Sequence, residues 1–176
     1  MKRLTLTGAL LLISASVLAQ TPYAGMQTRS IKALSDQQVS DLNAGRGMGL
    51  AMAAELNGYP GPSHVLELAD KLDLTADQRS SVKTLFDSMK AEAVPIGAKL
   101  IALEGDLDRQ FANRTITPDS LKAATTAVAE TQGQLRETHL KYHLSTADIL
   151  NPLQMRKYAE LRGYGSSNFT PHHHHR

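Results

Sequence analysis

Three histidines lie in the body of the chain, His64, His139 and His143, and their type and spacing suit metal chemistry better than any other residues present. His139 and His143 stand four apart. In a helix that spacing puts both imidazoles on one face, one turn from each other. Two neutral imidazoles so placed can share one divalent transition-metal ion, Zn2+ first among them. His64 and Glu67, three apart, form a second pair that can supply further ligands. A plainer reading is that His139 and His143 flank Tyr142 as polar-edged packing residues of a helix seam. Both readings stay open in the sequence. The run His172 to His175 before the terminal Arg176 binds zinc or nickel loosely wherever such a run occurs, so it marks no specific site.

Other chemistry finds little support. The chain has no Cys, which excludes disulfides, thiol nucleophiles and Cys-ligated metals. It carries neither a Gly-x-Ser-x-Gly elbow nor a His-Glu-x-x-His pair, so it reads as a non-enzyme with no catalytic residue and no required cofactor. Gly45-Arg46-Gly47-Met48-Gly49 has the outline of a nucleotide loop. No strand is expected before it and no phosphate-binding Lys follows, so it reads as a flexible joint before a short helix from Leu50 to Leu56, with no nucleotide partner.

The elements that must position the histidines begin after an export signal. Met1-Lys2-Arg3 is a short basic start, Leu4 to Leu18 is apolar or small without charge, and Val17-Leu18-Ala19 suits a signal peptidase. Cleavage is expected between Ala19 and Gln20. The apolar run is shorter than the roughly 20 residues of a membrane span, which disfavours a single anchor. Removal of the signal leaves 157 residues with 17 basic and 17 acidic side chains, so nothing in the bulk charge favours nucleic acid.

The remaining sequence is written in helices. Leu34-Ser35-Asp36-Gln37-Gln38, Leu74-Thr75-Ala76-Asp77-Gln78 and Leu150-Asn151-Pro152-Leu153-Gln154 each place a capping residue three positions before a Gln, the spacing of a capping box. Thr117-Pro118 is a fourth start. Val82, Phe86, Met89, Ala93, Ile96, Leu100, Leu103, Leu107 and Phe111 recur at steps of three and four, a near-heptad seam expected to be buried throughout. It predicts a helix from about Ala76 to Ala112, bent by Pro95 and weakened by Gly97 and Gly105. A turn at Asn113 to Thr117 leads to a second long helix from Pro118 to about Asp148. Short helices are expected at His64 to Lys71 and Pro152 to Leu161. The fold class is all-α: a long antiparallel helical hairpin with short flanking helices, four core helices in all, and thin enough to favour a homodimer. The divisions are 1–19 signal, 20–62 N-terminal extension, 63–162 helical domain and a disordered tail at 163–176.

The signal, the Leu-Thr-x-x-Gln start at Leu74 to Gln78 and its degenerate copy at Leu150 to Gln154 resemble the Spy/CpxP family of periplasmic proteins, which includes ZraP-type and CnrX-type metal-responsive members. The resemblance covers about Gly61 to Tyr164. The copy departs from the motif, reading Leu-Asn-Pro-Leu-Gln, and the extension to Pro62 lies outside it. The resemblance implies a small helical dimer in the periplasm. It implies an ATP-independent holding chaperone for unfolded envelope proteins, or a modulator of a membrane-bound signalling protein. The alternative it implies is a divalent heavy-metal sensor, with His139 and His143 as the ligand pair of the late helix and His64 and Glu67 as a looser match on the early one. Leu, Met and Phe on the hairpin, interspersed with Lys83, Lys90, Lys99 and Arg109, suit the chaperone role, and Met89 adds an adaptable side chain.

Overall fold

A computed structural model describes residues 23–164. The signal read at Met1 to Ala19 and the histidine run at 172–175 lie outside them. Among the described residues a 3-10 turn at Met26–Thr28 precedes α1 (Asp36–Asn43), α2 (Met52–Glu55), α3 (Pro62–Glu67), α4 (Ala76–Ala112), α5 (Pro118–Ile149) and α6 (Pro152–Leu161), with no strand. None of these helices is long and apolar enough to cross a membrane.

Four helices begin where their caps place them. Ser35, Thr75, Thr117 and Asn151 each accept a hydrogen bond from the first turn, and Gln38, Gln78, Ser120 and Gln154 bond back to the cap amide. Each such cap stabilises its helix by about 0.5–2 kcal/mol. Two of the glutamines also meet each other. Gln78 Nε2 donates to Gln154 Oε1 at 2.9 Å, and Gln154 Nε2 donates to Gln78 Oε1 at 2.9 Å. Their amides further bond the Ile149 and Leu72 carbonyls. The repeated motif therefore joins the start of α4 to the start of α6 and closes one end of the hairpin.

α4 and α5 pack along each other as the dominant antiparallel pair, and the turn between them is closed by Arg114 at φ 56°. Pro95 leaves the Ala91 carbonyl without its helical donor, yet α4 runs on unbroken. Two apolar clusters hold the molecule together. At the closed end Val65, Leu72, Val82, Leu150 and Tyr158 are buried together. Midway along the hairpin Leu42, Ala93, Leu100, Val128 and Leu135 form the second.

Several expectations are corrected. The seam is not buried throughout: Phe111 is 55% exposed, and Leu103 and Leu107 are only partly covered, because the N-terminal segment reaches α4 only as far as Gly105 and Asp108, through Ile31 and Lys32. The four core helices expected form as α3 to α6, and α1 and α2 are short helices of the N-terminal extension. The early helix starts at Pro62 and stops at Glu67, short of Lys71, and the helix expected over Leu50 to Leu56 shrinks to α2. In the extension α1 packs on α4 and α2 on α5. Gly97, read as a weak point of α4, is where α1 rests. A Cβ there would lie 2.5 Å from the Leu42 carbonyl oxygen. Tyr164, assigned to the disordered tail, is bonded into the core through Glu55.

Candidate functional site

The two apolar clusters leave a gap between them. On α4 the gap falls between Val82 and Ala93, and on α5 between Leu135 and Leu150. Phe86 and Met89 face it from α4, and His139 and His143 from α5. The segment from Ala44 to Glu67 partly covers it, leaving a half-open cavity of about 660 Å³. All four sequence-predicted ligands, His64, Glu67, His139 and His143, line this one cavity.

His139 and His143 do share a face, and both are buried, at 3% and 8% exposure. Gly47, in the expected flexible joint, lies against the His139 ring, and Gly61 lies against His143. A Cβ at Gly61 would come within 2.8 Å of His143 Cε1 and Nε2, so only glycine fits without moving the ring. His143 Nδ1–H donates to the Tyr59 carbonyl at 2.7 Å. That bond fixes the Nδ1–H tautomer and leaves Nε2 with the lone pair. His139 Nε2 is the one buried side-chain polar atom among the described residues without a hydrogen-bond partner. Burial, and then the neighbouring His143, pushes the His139 pKa down, so its imidazole is held neutral.

His64 and Glu67 satisfy each other instead of reaching the pair. His64 Nδ1 lies 3.1 Å from Glu67 Oε2, and both side chains are substantially exposed. The hydrogen bond from His64 holds the Glu67 carboxyl below its usual range. No group of three or more His, Cys, Asp or Glu among the described residues is arranged to hold a metal ion. The His and Glu donors as they stand give pairs on two walls, not a closed shell.

The sequence reading passed over Glu55. This carboxylate on α2 is 9% exposed. Its Oε1 accepts from the Tyr158 and Tyr164 hydroxyls, its Oε2 accepts from the Gly61 amide at 3.2 Å, and Arg162 Nε stands 3.4 Å from Oε1. His143 Nδ1 is 3.7 Å from Oε2. Burial and then the Glu55 hydrogen bond push the Tyr158 phenol far above its usual range, so it stays a donor. A buried carboxylate needs such partners, because charge without them is costly to desolvate. Nothing local in the sequence marks Glu55, since three of its partners arrive about a hundred residues later.

No family model, curated protein or solved structure matches the chain.

Proposed function

We propose that this chain is an exported, periplasmic holding chaperone or envelope-stress modulator that works without ATP, in the manner of the family it resembles. The distal half of the hairpin supports this reading. Phe111 and Leu121 are 55% and 38% exposed at its tip, and Leu103 and Leu107 are half-buried behind them. Arg109 and Lys122 border them. Covering one such side chain contributes about 1.5–3 kcal/mol, so a few together hold an unfolded segment reversibly. The same surface suits a second copy, and a homodimer is part of the proposal. The test is an aggregation assay: the purified protein, without nucleotide, is expected to suppress aggregation of a denatured client at near-stoichiometric ratio. Phe111→Ser with Leu121→Ser is expected to lose that suppression while keeping the helical signal. Absence of suppression by the unaltered protein removes the holding role.

A second reading, a divalent metal sensor, is favoured by the His139/His143 face, where His139 Nε2 has no hydrogen-bond partner and whose cavity His64 and Glu67 also line. A chain with His172 to His175 changed to Ala is expected to bind zinc, and His139→Ala and His143→Ala each to weaken that binding sharply. Binding is expected to fade below about pH 6 as the imidazoles protonate. Equally weak binding by the parent and the His139/His143 double variant refutes it.

A further inference from the structure

We propose that the cavity between the two clusters is a site for a soft monovalent metal ion, copper(I), held by the thioethers of Met48, Met52 and Met89 with the His139 imidazole. The assignment rests on the metal-binding reading and goes beyond it in both the ligands and the metal. The chain has six methionines, and three of them line this one cavity. They come from separate elements: Met89 from α4, and Met48 and Met52 from the segment that covers it. Met89 is buried, but Met48 and Met52 are 42% and 57% exposed, so core packing does not account for them.

The covering loop has the backbone of a positioned site. Met48 is one of three non-glycine residues with positive φ among those described, at 44°, and Gly49 follows at 84°. Long side chains rarely adopt that conformation, and such strain collects where a loop must present a group. A Cβ on Gly49 would lie 3.3 Å from Met52 Sδ. The neighbouring Gly47 lies against the His139 ring. One short loop therefore brings Met48 and Met52 to the cavity that the His139 ring also lines.

The donors left free select the metal. The cavity carboxylates are engaged, Glu55 by Tyr158, Tyr164 and Gly61, and Glu67 by His64. What remains is neutral sulfur and neutral imidazole. Thioethers favour copper(I), imidazole accepts it, and oxygen-seeking ions gain little from either. The chain has no Cys to compete for the ion. Lys90 and Arg46 also line the cavity. Lys90 stands over the Phe86 ring, and Arg46 pairs with Asp41. Repulsion from these cations scales with the charge of the ion, so a monovalent metal is opposed less than a divalent one.

The test uses the full chain as the cell processes it, with His172 to His175 changed to Ala. Copper(I) is titrated anaerobically against a chromogenic copper(I) chelator, and zinc(II) is titrated in parallel. The expected result is binding of one copper(I) per chain, with copper–sulfur scattering in the X-ray absorption spectrum. Leucine is close to methionine in size and lacks the sulfur, so the variant Met48→Leu, Met52→Leu, Met89→Leu should keep its thermal melt. Its copper(I) affinity is expected to fall by more than the roughly 10–100-fold that loss of an outer-shell partner costs. Met52→Leu alone, at an exposed position, is expected to weaken binding with no effect on folding. Copper(I) affinity unchanged in both variants overturns the assignment. Zinc binding that depends on His139 and His143, without copper(I) binding, also overturns it and leaves the metal-binding reading intact. Binding of neither ion overturns both.

Discussion

The glutamine pair at the closed end gives a direct test of why the motif occurs twice. Gln154 is 6% exposed and makes four side-chain hydrogen bonds, two with Gln78, one with the Asn151 amide and one with the Leu72 carbonyl. Each such bond contributes about 0.5–1.5 kcal/mol net, and a partner left buried and unpaired costs about 1–3 kcal/mol more. Gln154→Ala removes all four bonds, while the Gln78 amide keeps the Ile149 carbonyl and the Thr75 amide, so a loss of about 2–6 kcal/mol is expected. Gln78 is only partly buried and keeps more access to water, so Gln78→Ala is expected to cost about 1–3 kcal/mol. The two changes are not independent, because each takes the mutual bonds away from the group that the other deletes. The double variant should therefore be more stable than the sum predicts, with a coupling of about 1–2 kcal/mol. Urea denaturation followed by circular dichroism measures all four corners of the cycle. Additivity within about 0.5 kcal/mol would refute the pairing as the link between the motifs.

Other outcomes follow from single contacts. Gly97→Ala should destabilise by about 1–3 kcal/mol through its clash with the Leu42 carbonyl, although alanine is the better helix former; a rise in melting temperature would show that α1 does not rest there. Leu100→Ala should cost about 2–5 kcal/mol at its buried site, whereas Phe111→Ala should stay within about 0.5 kcal/mol; equal losses in denaturant titrations would refute the open distal seam. The His139 pKa is depressed in the folded state, so the unfolded chain binds more protons at mildly acid pH. Stability is expected to fall as pH drops below about 6.5, the unfolded value, and to level off below the folded one. His139→Gln should flatten that slope, and an unchanged slope would place the titration elsewhere.

The long helices were legible because their signals are local. Thr75 and Gln78, Thr117 and Pro118, and Asn151 and Gln154 mark starts within a few residues of themselves, and the period-3.6 pattern carries each helix to its end. Burial was less legible. Phe111 fits the seam by spacing, but whether anything covers it depends on other parts of the molecule. The cover over the histidines was missed for the same reason. Gly45 to Gly49 resembles a joint in isolation, and its contact with His139 joins residues more than ninety positions apart. The His139/His143 face was readable from its spacing of four. Glu55, Met48 and Met52 were not singled out, because their role depends on what folds back onto them.

Glu55 sets an order on assembly. It precedes Tyr158 by 103 residues and Tyr164 by 109. Until those tyrosines follow, α2 can meet α5, but its carboxylate lacks their hydroxyls and stays hydrated. Burying it becomes favourable only once Tyr158 and Tyr164 are in place. A chain cut short before Tyr158 leaves Glu55 without either tyrosine, which loosens the cover over the histidine face. Glu55 thus makes the N-terminal cover a sign that synthesis has run to the end.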